Sequence, residues 1–257
     1  MFQVDAFTNK PFHGNPAGVC LLDAKPEDTW LQAVAAEMNL SETAFVWRED
    51  TWKIRYFTPL VEVPLCGHAT LSSGHVLWEK GLAEPGEAIR FHSPSGLLTL
   101  VREKDWICMD LPADIPTRPR TIPPLEDLGA RPVHIMQTRF CGYLIELEDA
   151  EAVRHYNPDL QKLLKQGWVE WIVTASGQEE ADFVSRFFAP GLGIPEDPVT
   201  GSAHCSLAPY WSQRLNKSSL TAHQLSKRFG TVRMRTGKKR VAILGQAVTV
   251  FQGEWVP

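Results

Sequence analysis

The feature that most restricts the fold of this chain is an internal repeat. Arg55-Tyr56-Phe57-Thr58-Pro59 returns as Arg186-Phe187-Phe188-Ala189-Pro190, 131 residues later. Gly67 in CGHAT and Gly201 in TGSAH lie 134 residues apart, as do Gly96 and Gly230. Phe12-His13-Gly14 precedes Phe140-Cys141-Gly142 by 128. Each pair alone is weak, because single glycines and aromatic-x-Pro steps are common. Four pairs in the same order, at nearly constant spacing, predict two copies of one αβ unit, each about half of the chain.

The local patterns repeat in the same order. FQVDAF and GVCLL alternate like strands, with HGNPA as the turn between them. EDTWLQAVAAEMN places Trp30, Leu31, Val34 and Met38 at helical spacing. TAFVW and WKIRYF follow as a strand pair, then a helix opening at Gly67 and stopping at Lys80-Gly81. LLTLVREKDWICMDL reads as a hairpin. The Pro-rich DIPTRPRTIPPLEDLG reads as the link between lobes. The second half gives a strand in CGYLIELED, a helix in PDLQKLLKQG, strands in VEWIVTAS and DFVSRFF, and a helix opening at Gly201. Pro209 lies deep in that helix and should free a backbone carbonyl one turn earlier and bend the helix. RVAILGQAVTVFQGEWVP supplies closing strands. The expected lobes are residues 1–118 and 119–244, with 245–257 returning to the first lobe as a closing strand.

Composition removes several function classes. A net charge of −4 and a pI near 6.1 oppose a nucleic-acid or polybasic membrane surface. SKRF and GKKR read as the solvated face of a hairpin. The first residues lack the charged start and long apolar run of a leader or membrane span, which makes a cytoplasmic location the expectation. Five scattered cysteines without CxxC spacing suit reduced, buried thiols. The histidines lack metal-ligand spacing and HExxH is absent, so no metal site is expected.

The two small-residue helix starts are where chemistry is expected. A helix N-terminus presents unpaired N–H groups and partial positive charge, and glycine lets a ligand approach the backbone. The mouths at Gly67-His68 and Gly201-Ser202 could therefore clamp one small carboxylate or enolate between the lobes. Taken alone, Thr200 and Ser202 read as helix N-caps, and Asp197, held extended before Pro198, as a turn former. His68 in a first helical turn would be disfavoured as imidazolium and could exchange a proton near neutral pH, or could simply pack. Glu42 directly precedes an apolar strand. Burial there would raise its pKa into a range useful for acid/base work.

At these residues the chain resembles a known family. DAFTNKPFHGNPAGVCLL, SETAFV, RYFTP, PLCGHAT and EDPVTGSAH, together with the ending GQAVTVFQGEW, closely resemble the phenazine-biosynthesis PhzF-like family across essentially the whole length. The resemblance implies an α+β, diaminopimelate-epimerase-like fold: two pseudo-symmetric lobes, each a curled mixed sheet around a central helix. It implies an isomerase that needs neither metal nor organic cofactor and acts on a small carboxylate. The family's acid/base glutamate falls on Glu42 and its other polar catalytic residues on His68, Asp197 and Ser202. Gly67, Gly201, Thr200 and Asn15 fall on substrate-binding positions, Asn15 on the GNPA turn. A homodimer is the family's habit.

Two rival readings stand beside this one. Racemases of the same fold use paired cysteines at the two mouths. Here Cys66 precedes Gly67 but Thr200 precedes Gly201, so Cys66 reads as packed and a two-thiol mechanism lacks a partner. A non-catalytic small-carboxylate binding or regulatory protein would keep the clamp and lose the chemistry.

Overall fold

The computed structural model describes residues 1–84, 86–178 and 180–255. The chain divides into two units, Met1–Asp110 with Leu244–Pro257, and Leu111–Ile243. Each repeats the same order of pairings.

In the first unit, β1 (Phe2–Ala6) runs antiparallel to β2 (Asn15–Leu22). The chain crosses through α1 (Asp28–Met38) to β3 (Thr43–Arg48), parallel to β2. Next come β4 (Trp52–Phe57), antiparallel to β3, and the short β5 (Glu62–Val63), antiparallel to β4. A second crossover, α2 (Gly67–Glu79), leads to β6 (Ile89–Ser93), parallel to β4. Antiparallel β7 (Gly96–Glu103) and β8 (Trp106–Pro112) follow.

The second unit repeats this. β9 (His134–Gln137) is antiparallel to β10 (Tyr143–Glu146). Here the first crossover is split into α3 (Ala150–His155) and α4 (Leu160–Lys165), leading to β11 (Trp171–Ser176), parallel to β10. β12 (Phe183–Ala189), β13 (Ile194–Asp197), α5 (Gly201–Leu215), β14 (Ser219–Gln224) and β15 (Gly230–Thr236) reproduce the pairings of β4 to β7. β16 (Arg240–Gly245) leads to β17 (Ala247–Gln252), which pairs antiparallel with β1.

Side chains repeat with the strands. Arg55 grips Glu62 through Nε and Nη2 at 2.7 Å each, and Arg186 grips Glu196 at 2.7 and 2.9 Å. Each arginine also lies over the phenylalanine two residues on, Phe57 or Phe188. A buried aspartate fixes each Phe-x-Gly turn: Asp5 accepts from the Phe12 N–H, and Asp114 from those of Arg139 and Phe140. Gly14 and Gly142 have φ of 64° and 60°, and a Cβ on either would overlap a backbone carbonyl, that of Ala6 or Glu170. Only glycine fits these turns.

The cores differ in character. α1 buries Leu31, Val34 and Ala35 against Cys20, Phe45 and Phe57, while Trp30 stays 38% exposed with its ring edge-on to Phe45. The second unit builds its core from aromatics, with Trp171 stacked on Phe188 and edge-on to Trp168. α3 escaped the sequence reading because it buries only Ala150 and Val153, too few apolar residues to mark a helical face, whereas the equally short α4 carries Leu160, Leu163 and Leu164.

The Pro-rich stretch read as a link is instead packed into the second unit. Leu128 is in its core, the Pro124 carbonyl accepts from Trp168 Nε1, and Asp127 pairs with Lys162. Pro209 lies inside α5 and leaves one carbonyl without its intrahelical partner. The carbonyl it frees, that of Cys205, accepts the Asp114 N–H at 3.0 Å, and Asp114 also takes the Ser206 hydroxyl.

Candidate active site

In the first unit the site is made by a loop and a helix start. α2 is buried along almost its whole length and uses small residues, Ala69, Ser72, Ser73 and Gly74, to allow close packing. Its first turn is anchored at Cys66, whose carbonyl accepts both the backbone N–H and the hydroxyl of Thr70. Since the Thr70 hydrogen goes to that carbonyl, the Tyr56 hydroxyl donates to Thr70 Oγ1 at 2.5 Å. Glu42 ends the loop before β3, and its carbonyl accepts the Gly18 N–H at 3.0 Å.

These supports bring four side chains together. Glu42 Oε2 is 3.4 Å from His68 Nε2, and Ser41 Oγ is also 3.4 Å from that nitrogen. Cys66 Sγ is 3.4 Å from His68 Nδ1. His68 and Cys66 are each 6% exposed, while the Glu42 side chain keeps 16%. A carboxylate beside an imidazole, both largely out of water, can take a proton and pass it on.

In the second unit the mouth is a hydrogen-bonded lattice. Thr200 Oγ1 donates to Asp197 Oδ2. The Thr200 N–H donates to Gln224 Oε1 at 2.9 Å, while Gln224 Nε2 reaches the Asp197 carbonyl at 2.8 Å. His204 Nδ1 donates to the Thr200 carbonyl at 2.7 Å, the counterpart of Thr70 on Cys66. His204 is fully buried, and burial pulls its pKa down to about 4, so it stays neutral. Ser202 is exposed and accepts a long contact from the Cys141 thiol, 3.8 Å, whose ionisation burial strongly opposes.

Neither mouth is capped by its own N-cap side chain, and neither has an acid in its first turn. α3 and α4, by contrast, are capped by Asp149 and Asp159. The N-cap reading of Thr200 is therefore corrected: its hydroxyl is used on Asp197 and accepts nothing from the helix N–H groups. The first-turn donors of both long helices are left for other acceptors.

The structure places Glu42, Gly67 and His68 together in one unit, and Asp197, Thr200, Gly201 and Ser202 together in the other. Asn15 is the first residue of β2 rather than a turn residue, and it is fully buried. The sequence reading missed Ser41, Gln224 and His204, and it treated Cys66 as mere packing although that thiol touches His68.

A family model described as phenazine biosynthesis-like protein matches residues 4–253. The chain belongs to the phenazine biosynthesis-like family. An uncharacterized isomerase of Pseudomonas aeruginosa is 53% identical over 253 residues, covering 98% of this chain and 96% of the relative. A crystal structure of a PhzF-family protein from Enterococcus faecalis superposes with a TM-score of 0.93 at 40% identity, covering 100% of this chain and 98% of that one. A hydroxyproline epimerase from Agrobacterium vitis shares the fold at 11% identity, with a TM-score of 0.67 over 97% of this chain and 90% of its own. The α+β, diaminopimelate-epimerase-like architecture expected from the resemblance is thus the one found, and the curated relatives place the family member among isomerases. No helix among the described residues is long and apolar enough to cross a membrane.

Proposed function

We propose that this protein is a cofactor-independent isomerase that moves a proton on a small carboxylate substrate, with Glu42 as the general acid/base. The contact between Glu42 and His68 at the uncapped mouth of α2 supports this reading most strongly. Glu42 takes a proton from carbon and returns it at another position of the conjugated system. His68 exchanges protons with it. The first-turn N–H groups of α2, beginning at Gly67, hold the substrate carboxylate and the enolate-like charge that develops. In the second unit, Asp197 and Ser202 orient the substrate and pass protons, with Thr200 and Gly201 as binding positions. Asn15 keeps its assignment as a substrate-binding residue on the family motif alone. By the same resemblance the protein acts as a homodimer, and light scattering that gives the mass of a single chain would remove that part.

The test is solvent-deuterium incorporation, followed by mass spectrometry, into a panel of small cyclic and amino carboxylates. Glu42→Gln is expected to slow label entry by about 10²–10⁴-fold relative to the wild type. Undiminished labelling by that variant would overturn the assignment.

The contact of Cys66 with His68 favours a second reading, in which the thiol is the proton carrier. The second mouth offers Thr200 in the matching place, which leaves such a mechanism without its partner thiol. Labelling that survives Glu42→Gln and disappears with Cys66→Ala would select it.

A further inference from the structure

The side chains at the mouth of α2 also have a property that proton transfer does not require. Carboxylate, thiolate and imidazole are the donor classes that bind zinc in proteins, and one of each meets here. The candidate ligand atoms of Glu42, Cys66 and His68 all lie within 4.8 Å of one another. Cys66 Sγ stands 3.4 Å from His68 Nδ1 and 3.9 Å from Nε2, and Glu42 Oε2 stands 3.4 Å from Nε2. In a tetrahedral zinc site with bonds of about 2.0–2.3 Å, neighbouring ligand atoms are about 3.3–3.6 Å apart. An ion takes one imidazole nitrogen only, and with Nε2 as that donor the separations are 3.4 Å to Glu42 Oε2, close to a tetrahedral edge, and 3.9 Å to Cys66 Sγ, a few tenths of an ångström beyond one.

We propose that Glu42, Cys66 and His68 form an inhibitory site for a borderline-soft divalent cation of the Zn²⁺ type. The donors are already held in place. Cys66 and His68 flank the first residue of a buried helix, and the Glu42 backbone is bonded to β2. Binding therefore orders little that is not ordered beforehand. Three protein donors leave the fourth position to water, and the partly exposed Glu42 provides the open side. The thiol releases its proton to solvent as the sulfur–metal bond forms. Mg²⁺ and Ca²⁺ are poor occupants, because they take oxygen ligands in greater number. Inhibition, as distinct from binding, rests on the reading of Glu42 as the base: a carboxylate bound to the cation cannot accept a proton from substrate.

The test is titration of the full chain, freed of metal by a chelator, with Co²⁺ as a coloured stand-in. The expected result is one equivalent bound, tetrahedral visible bands, a thiolate-to-cobalt charge-transfer band, and displacement by Zn²⁺. Cys66→Ala should abolish the charge-transfer band, Glu42→Gln should weaken binding at least about tenfold, and Cys141→Ala should change neither. Thermal melts establish that each variant is folded. Absence of the thiolate band in the wild type, or its survival in Cys66→Ala, would overturn the site. Absorbance reads the metal and not turnover, so this result is independent of whether Glu42 carries the isomerisation. Stoichiometric Zn²⁺ should also suppress deuterium labelling by the wild type. Zn²⁺ bound with labelling unchanged would overturn the inhibitory role.

Discussion

The mouths of α2 and α5 share a backbone and differ in chemistry. Both follow an antiparallel strand pair braced by an Arg–Glu fork, and both anchor the carbonyl before the helix to the side chain four residues on. At α2 the side chains are ionisable and in longer contact: Glu42, His68 and Cys66 stand 3.4 Å apart in two successive pairs. At α5 they are tightly bonded, with Asp197, Thr200 and Gln224 in one closed network. Contacts of this length among ionisable groups must tighten before a proton passes between them, whereas a satisfied network fixes orientation from the start. Under the proposed function, the repeat preserved a scaffold while the two copies took different jobs, proton transfer at the first and positioning at the second.

The largest test of the shared scaffold is a matched pair of substitutions. Gly14→Ala and Gly142→Ala each add a Cβ at positive φ into a backbone carbonyl, and each should cost about 3 kcal/mol or more of stability. Denaturant melts check this. A large loss in one copy and none in the other would break the comparison at the level of the fold.

A smaller effect separates the copies by pH. His204 occupies the place that Thr70 holds in the first unit, and only the histidine titrates. Its folded pKa of about 4 lies below the ordinary value of 6.5. The unfolded chain therefore binds a proton first as pH falls. Stability is full above about pH 6.5 and declines toward pH 4, by as much as about 3 kcal/mol from this group. Melting temperatures across that range should fall less steeply in His204→Asn than in the wild type. Parallel slopes would contradict the assignment.

Much of this architecture was legible in the sequence because it rests on short, local requirements. The Phe-x-Gly turns and the Arg-aromatic-Phe strands appear in both copies, and each has a physical reason that survives divergence. Glu42 and His68 were legible as motif residues, but not as neighbours, since nothing in their spacing tells that a loop carboxylate meets a helix 26 residues on. Gln224 was missed for the same reason: it reaches Asp197 from a strand 27 residues away. His204 could have been found, because it stands four residues after Thr200, one helical turn along. The Pro-rich segment was misread as a link because proline predicts extended backbone equally well for a spacer and for a strap packed on a core. Cys66 was judged by the absence of a second thiol, when its neighbour His68 was the informative residue.

The proposed division of labour between the two mouths can be read directly from kinetics. Once a substrate has been identified by deuterium labelling, kcat and KM should be measured side by side for Glu42→Gln and Ser202→Ala. Glu42→Gln should lose kcat by about 10²-fold or more with KM little changed, and Ser202→Ala should act mainly on KM, by about tenfold. The opposite split, with kcat surviving the loss of Glu42 and collapsing with Ser202, would contradict that division.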